Sequence, residues 1–233
     1  MTIDELIVSA YKYLEKNPER FTSQEKVKFL EDLKEWINGK SNVIADEVYD
    51  FLMEFHGAEQ KKRHIQYASY LNKKYGSLKF RRILDVGAGR MCRLSETLAK
   101  YGAKMYAIDP NIRLSENEAY DKRITAISKK HFECDEFATK GKKGTYVQPY
   151  DMIIGLEPCD ATEHIIRQGM KYDKLFNILL CAAPHDALNG RKFERYEDWY
   201  EYLASISTEV EITKVNEDYY ASNDPQNSNI LGM

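Results

Sequence analysis

The sequence predicts an α/β protein in which an N-terminal helical extension precedes a doubly wound, mostly parallel sheet. After Gly76, short apolar runs rich in β-branched residues alternate with helical stretches, which is typical of strands buried on both faces and joined by crossover helices. Before Gly76, apolar residues recur at helical spacing instead. We therefore expect a helical cap or extension over residues 1–76 and a sheet domain over residues 77–233.

The extension is predicted to contain four helices. The first ends at Pro18, and the second begins near Thr22, whose capping box is completed by Glu25. Glycines follow the last three helices, as expected at helix C-termini. The predicted helices cover approximately residues 3–17, 22–37, 46–56 and 59–75.

The sheet domain is predicted from its apolar runs. The first five strands are RRILDV, KMYAID, ITAI, YDMIIGL and FNILLCA, and helices such as RLSETLAKYG and TEHIIRQGMKY lie between them. Near the end, RYEDWYEYLASIS has the pattern of a helix and VEITKV that of a strand, and we interpret the terminal SNILGM as a closing strand.

Composition narrows the class of protein. Hydrophobic residues make up 43% and charged residues 30% of the 233 residues, which is ordinary for a globular protein. The formal net charge of -3 argues against a wholly basic nucleic-acid binder. The longest apolar run, FNILLCAAP, is too short to span a bilayer, and the acidic N-terminus does not resemble a secretory signal. We expect a cytoplasmic protein with no membrane partner.

The spacing of the cysteines also favours a cytoplasmic protein. The four cysteines, Cys92, Cys134, Cys159 and Cys181, form no C-x-x-C pair. Such spacing is poor material for a zinc site or a disulfide framework, and it suits a reducing compartment. The sequence therefore predicts no metal site.

A glycine loop follows the first predicted strand of the sheet domain. Gly87 and Gly89 come directly after ILDV, and Asp109 ends the next strand. Ligands of parallel open sheets bind beyond the carboxyl ends of the strands, where glycine allows close backbone approach. A carboxylate at Asp109 is placed to accept hydrogen bonds from both hydroxyls of a ribose. The alternative is a tight turn with Asp109 capping a loop.

Two features favour S-adenosylmethionine over a dinucleotide. The fingerprint G-x-G-x-x-G requires a third glycine where this chain has Cys92. Asp85 stands just before the loop, where a carboxylate repels a pyrophosphate and attracts a positively charged amino group. An NAD-dependent oxidoreductase is the weaker alternative, since no Tyr-x-x-x-Lys pair lies beside the site.

Asp85-Val86-Gly87-Ala88-Gly89, Asp109 and the segment YDMIIGLEP resemble the class I S-adenosylmethionine-dependent methyltransferases, over roughly Arg81 to Met233. The resemblance implies a seven-stranded sheet whose last strand is antiparallel, a position that SNILGM would fill. It also implies S-adenosyl-L-methionine as cofactor and S-adenosyl-L-homocysteine as product. The cofactor would be held by Asp85, Gly87, Ala88 and Gly89 at its methionine part and by Asp109 and Pro110 at its ribose. Many members have a further glycine where this chain has Met91.

The loop after the fourth strand, GLEPCDATEHII, lies where the methyl acceptor must bind. It lacks the N/D-P-P-Y motif of many amino-directed members and partly resembles the L-H-A-C-D-x-A-T loop of a branch that includes RNA-modifying enzymes. Glu157 replaces the histidine of that loop. That branch tends to show paired cysteines and a histidine after strand five, where this chain has Cys181 and His185. The resemblance hints at an RNA substrate.

The candidate catalytic residues are Glu157, Asp160 and His185, placed beside the transferable methyl group. Two of them have a structural alternative: Asp160 as a cap of the following helix, and His185 as an ordinary loop histidine. Cys159 and Cys181 are more typical of buried apolar positions than of nucleophiles. Phe132, just past the third strand, either stacks on the adenine or fills the core.

Lys61, Lys62 and Arg63 begin the helix before the first strand and would lie near the site if that helix is antiparallel to the strand. They either contact RNA phosphates or form a solvated helix face. The sequence thus predicts a methyltransferase acting on RNA or a small molecule. The alternative from another class is a non-catalytic protein that binds the cofactor or a partner on the same fold.

Overall fold

In the computed structural model, the structure describes residues 23–37, 63–138, 142–216 and 218–224, together with the isolated positions 8 and 12. The chain divides into two compact units, one ending at Arg63 and the other beginning at His64. In the first unit, residues 8 and 12 are helical and helix α1 covers Ser23–Ile37, as predicted for the second N-terminal helix. The predicted helix at 46–56 lies outside the described residues, as does most of the first.

The second unit contains the sheet. Its helices are α2 (residues 63–75), α3 (Arg93–Lys100), α4 (Glu116–Asp121), α5 (Ala161–Lys171) and α6 (Tyr196–Ser205). Its strands are β1 (Arg82–Val86), β2 (Lys104–Ile108), β3 (Ile124–Ser128), β4 (Met152–Leu156), β5 (Leu175–Leu179), β6 (Glu211–Val215) and β7 (Asp218–Ser222).

The seven strands form one sheet in the order β3-β2-β1-β4-β5-β7-β6. Strands β1 to β5 pair in parallel, whereas β7 is antiparallel to both β5 and β6. The predicted doubly wound, mostly parallel, seven-stranded sheet is therefore confirmed. The order reverses between β1 and β4, which makes the carboxyl ends of these strands the expected ligand-binding edge.

The identity of the last strand was predicted incorrectly. We assigned it to SNILGM, which lies outside the described residues, but the seventh strand is Asp218–Ser222. The chain turns straight back after β6 through Asn216, whose φ of 56° lies in the left-handed region that tight hairpin turns require. The second strand of this hairpin, β7, pairs with β5 and is the antiparallel strand of the sheet.

Two apolar layers cover the two faces of the sheet. Because side chains alternate along a strand, Ile83 of β1 packs in one layer and Leu84 in the other. Helices α2 and α3 contribute to the first layer, and α5 and α6 to the second. Tyr67 of α2 is buried and donates its hydroxyl to the Asn177 carbonyl of β5 at 2.7 Å. This helix, which the sequence placed in the extension, thus packs with the sheet from His64 onward.

Among the described residues, no helix combines the length and the apolar character that crossing a membrane requires.

Candidate functional site

A cavity of 340 Å³ lies at the carboxyl ends of β1, β2 and β4. This volume falls in the range of small-molecule sites, about 300–1,000 Å³. Five predicted site residues line it: Gly87, Asp109, Pro110, Phe132 and Asp160. The parallel strands bring these residues together because each residue follows, or lies near, the end of a strand at the same sheet edge.

The glycine loop is tied to the end of β2. Gly87 and Gly89 have φ values of 70° and 68°, which a residue with a side chain rarely adopts. The Gly87 N–H donates to the Ile108 carbonyl at 3.0 Å, and the Gly89 N–H donates to Asp109 Oδ2 at 3.1 Å. These bonds hold the loop against β2 and leave Gly87 in the cavity wall without a side chain.

Asp109 is oriented from both sides. Its Oδ2 accepts the Gly89 N–H, and its Oδ1 accepts the Asn111 N–H at 2.7 Å. Each carboxylate oxygen retains a further lone pair, so the oriented group can still accept hydroxyl donors from a ligand in the cavity. This geometry suits a vicinal diol such as the one a ribose presents.

Pro158 holds the strand-four loop against the glycine loop. A Cβ added at Gly87 would lie 2.9 Å from Pro158 Cα, and one added at Gly155 would lie 2.7 Å from Pro158 Cγ. Gly87, just after β1, and Gly155, within β4, therefore create the space that the proline fills. Glu157 and Cys159, on either side of Pro158, both have left-handed φ values, of 50° and 49°.

Asp85 does not line the cavity. Its side chain is buried and its Oδ2 accepts the Ser95 hydroxyl of α3 at 2.7 Å. Burial raises the pKa of Asp85 to about 7, although the Ser95 hydrogen bond opposes the shift. The role of Asp85 toward an ammonium group of the cofactor therefore stays a prediction: in this structure its side chain contacts Ser95.

The raised pKa of Asp85 predicts a pH-dependent stability that Asp85→Asn removes. Between about pH 4 and 7 the unfolded carboxyl is ionised while the folded one keeps its proton, so the free energy of unfolding falls as pH rises. Relative to the wild type, the variant should gain about 1.4 kcal/mol per pH unit over this range. Urea unfolding at pH 5, 6 and 7 measures the gain. Asp121→Asn, at an exposed position of α4, is the control, and an equal slope for both variants would contradict the prediction.

Four further predicted residues lie outside the cavity lining: Ala88, Gly89, Glu157 and His185. Ala88 packs against the apolar layer that contains α2 and α3. Glu157 is partly buried, and its N–H donates to the Leu179 carbonyl at 2.9 Å, which extends the pairing of β4 with β5. His185 lies in the loop after β5, where it contacts Asp160, a residue of the cavity wall. Glu157 and His185 therefore remain catalytic predictions without a direct contact to the cavity.

Asp160 does not cap α5 with its side chain, although it occupies the N-cap position. Its Oδ1 lies 3.3 Å from His185 Nδ1. The Sγ atoms of Cys159 and Cys181 lie 3.6 Å apart, and His185 completes a cluster in which one ligand atom of each residue lies within 4.8 Å of the others. Cys159 is exposed and lines the cavity, so these cysteines are not the buried apolar residues that we expected.

The charges of this cluster are coupled. A hydrogen bond from the Cys181 thiol and the neighbouring His185 ring lower the pKa of Cys159 below its ordinary value. The same contact raises the pKa of Cys181, and the Cys159 sulfur raises the pKa of His185. The cluster therefore favours the thiolate form of Cys159.

Phe132 fills the core, as one of the two alternatives held, and its stacking on an adenine stays a prediction. It is 4% exposed, belongs to the apolar layer that contains α5, and lines the cavity. Asn111, His131 and Glu133 also line the cavity but were not among the predicted site residues. A signal for them existed, because they lie within a few residues of Asp109 and Phe132 and follow the carboxyl ends of β2 and β3. Lys61 and Lys62 lie outside the described residues.

No family model matches the sequence, and no curated protein matches it either. Solved structures do resemble it. An O-methyltransferase family protein from Burkholderia thailandensis superposes with a TM-score of 0.51 at 10% identity, covering 94% of this chain and 69% of that one.

Two other solved structures superpose with TM-scores of 0.43. Magnesium protoporphyrin IX methyltransferase from Synechocystis PCC 6803, with bound SAM, is 15% identical and covers 88% of this chain and 98% of its own. The 16S rRNA N2 G1207 methyltransferase from T. Thermophilus, in complex with AdoMet and guanosine, is 18% identical. It aligns with 68% of this chain, which spans only 42% of the length of that enzyme.

Proposed function

We propose that this chain, which has the fold of the class I S-adenosylmethionine-dependent methyltransferases, binds S-adenosylmethionine in the cavity and transfers its methyl group to an acceptor. One observation carries the proposal: a cavity at the switch point of the sheet is bounded by a bare glycine loop and an oriented carboxylate, Asp109. That combination provides a close backbone approach and an acceptor for a diol.

The residues present fit the cofactor. Asp109 would accept the ribose hydroxyls, Phe132 would contact the adenine, and Gly87 would lie beside the methionine part. When bound, S-adenosylmethionine supplies an electrophilic methyl group on a sulfonium. The protein must then align the acceptor atom with that methyl group and exclude water. Asp160 and Cys159 are the polar residues of the strand-four loop that face the cavity, so they would lie on the acceptor side.

His185 and Glu157 do not line the cavity, so any role they have would be exerted from outside its wall. With its ring beside Asp160, His185 is a candidate to take a proton from the acceptor through that carboxylate or to hold Asp160 in place. Glu157 would position the loop through the strand pairing of its backbone. The catalytic role predicted for the Glu157 side chain is tested separately by Glu157→Ala, and full turnover of this variant on the true substrate would contradict that role.

The competing functions predict different ligands. An NAD-dependent oxidoreductase is disfavoured because Cys92, the place of the third glycine, is a buried side chain at the start of α3. Thermal shift with S-adenosylhomocysteine and, separately, with NAD distinguishes these two. Stabilisation by NAD alone would refute the proposal.

The acceptor is tested by methyl transfer. Labelled S-adenosylmethionine is incubated with the full chain and either total RNA or a metabolite pool, and label is followed into each fraction. The partial L-H-A-C-D-x-A-T resemblance suggests RNA as the acceptor. Label in the RNA fraction would support an RNA acceptor. Cofactor binding without transfer to any acceptor would favour the non-catalytic alternative.

Asp109→Ala is expected to weaken S-adenosylhomocysteine binding about 100-fold. Two hydrogen bonds from ribose hydroxyls to a carboxylate contribute about 1.5 kcal/mol or more each, and the variant also loses the bond that holds the Gly89 N–H. Isothermal titration calorimetry measures the change. Asp109→Asn keeps one acceptor oxygen and should bind with intermediate affinity. Glu116→Ala, at an exposed position of α4, is the control, and unchanged affinity in Asp109→Ala would refute the ribose assignment.

A further inference from the structure

Two thiols and an imidazole converge at the edge of the cavity, although they lie in separate loops. Cys159 follows β4, whereas Cys181 and His185 follow β5. These strands are parallel neighbours, with Leu156 paired to Leu179, so their following loops leave the sheet side by side. Sequence spacing alone did not indicate a metal site, because the ligands are not arranged as C-x-x-C.

The distances match a tetrahedral metal centre. Zinc binds thiolate sulfur at about 2.3 Å and histidine nitrogen at about 2.0–2.1 Å, so two sulfurs of one tetrahedral site lie about 3.8 Å apart. The Cys159 and Cys181 sulfurs lie 3.6 Å apart, and the His185 ligand atom lies within 4.8 Å of both. Small side-chain adjustments would bring all three groups onto one ion.

The imidazole is already oriented as in many metal sites. Asp160 Oδ1 lies 3.3 Å from His185 Nδ1, an arrangement in which a carboxylate fixes the tautomer of a ligating histidine. The other ring nitrogen, Nε2, is buried and has no hydrogen-bond partner within the described part of the chain. A buried nitrogen without a partner is uncommon and calls for an explanation such as a missing ion.

We propose that Cys159, Cys181 and His185 bind a thiophilic divalent cation of the Zn²⁺ class, with Asp160 orienting His185. Two sulfur ligands and one nitrogen select zinc-like ions over Mg²⁺ or Ca²⁺, which require oxygen ligands. Three protein ligands leave a fourth position open to water or to an acceptor. Because Cys159 lines the cavity, that position would lie beside the proposed acceptor site. The metal site itself does not depend on methyl transfer.

The test uses Co²⁺ and Zn²⁺ on the full chain, reduced with a phosphine and freed of metal by dialysis against a chelator. Titration with Co²⁺ should give thiolate-to-cobalt charge-transfer bands and the intense visible bands of a four-coordinate ion. One Co²⁺ should bind per chain, and Zn²⁺ should displace it and protect Cys159 from alkylation. Binding of S-adenosylhomocysteine is measured separately, so failure of one proposal is distinguishable from failure of the other.

Variants locate the ion. Cys159→Ser, Cys181→Ser and His185→Ala should each weaken Co²⁺ binding at least about 100-fold, and Asp160→Asn about 10-fold. Cys134→Ser is the matched control, because the Cys134 sulfur also contacts an imidazole, at 3.2 Å from His164 Nδ1, but lies outside the cluster. It should bind Co²⁺ like the wild type.

Three results would overturn the inference. The first is a reduced, folded wild type without thiolate-to-cobalt bands. The second is Co²⁺ affinity unchanged in both Cys159→Ser and Cys181→Ser. The third is a reduced protein that binds no metal, combined with an oxidised protein that forms a Cys159–Cys181 disulfide. Mass spectrometry detects this disulfide as a loss of two hydrogens.

Discussion

Replacing Glu163 with alanine is expected to lower the free energy of unfolding by about 3–5 kcal/mol, the cost of leaving a buried ion pair without one partner. Glu163, on α5, is only 1% exposed. Its Oε1 accepts from Arg167 Nε at 2.7 Å and from the Tyr202 hydroxyl at 2.8 Å, and its Oε2 accepts the Leu188 N–H at 2.8 Å. The substitution leaves three donors without this carboxylate.

A second ion pair of Arg167 supplies the control for this prediction. Its Nη1 also pairs with Glu136, at 2.9 Å, but the Glu136 side chain is 58% exposed. Glu136→Ala removes an ion pair of the same guanidinium and should cost less than about 1 kcal/mol, because solvent screens the exposed partner. Urea unfolding of both variants gives the comparison, and Glu163→Gln serves if the alanine variant does not fold. Equal losses from the two positions would show that burial does not govern this network.

The Glu163 network also matters for the candidate site. Through the Leu188 N–H, Glu163 fastens the loop after β5 to α5, and this loop carries Cys181 and His185. Asp160 lies immediately before the first residue of the same helix. One helix thus positions both the orienting carboxylate and the loop with the imidazole, so the geometry of the cluster depends on a residue that lies outside the cavity lining.

The fold and the cavity wall were predictable because they follow from local patterns. Branched apolar runs identified β1 to β6, and the glycines after β1 with the acid after β2 identified the ligand-binding edge. Parallel pairing brings the ends of such strands together whatever the details of packing. Gly87 and Asp109 therefore both line the cavity at this edge.

Other features depended on three-dimensional neighbours. The direction in which the Asp85 side chain points is set by Ser95 of α3, which strand periodicity does not indicate. The cluster of Cys159, Cys181 and His185 depends on β4 and β5 being adjacent, which the spacing of the cysteines along the sequence does not indicate. The seventh strand depends on a turn at Asn216 rather than on the apolar character of the terminal residues.

Gly87→Ala is expected to lower the free energy of unfolding by about 2–5 kcal/mol. The left-handed φ of 70° costs alanine about 1–2 kcal/mol. The added Cβ would also lie 2.9 Å from Pro158 Cα, a backbone atom that cannot turn aside, and overpacking of this kind costs about 1–3 kcal/mol. Urea unfolding of the full chain measures the sum.

Two neighbouring glycines separate these contributions. Gly89 has nearly the same φ, 68°, but no atom lies within 4 Å of an added Cβ, so Gly89→Ala should show only the conformational cost of about 1–2 kcal/mol. Gly155 has no positive φ, and its added Cβ would meet Pro158 Cγ at 2.7 Å, so Gly155→Ala should show only the packing cost. The loss in Gly87→Ala should then approach the sum of the other two. If Gly87→Ala and Gly89→Ala lose the same stability, Pro158 yields freely, and the contact between the strand-four loop and the glycine loop does not fix the shape of the cavity.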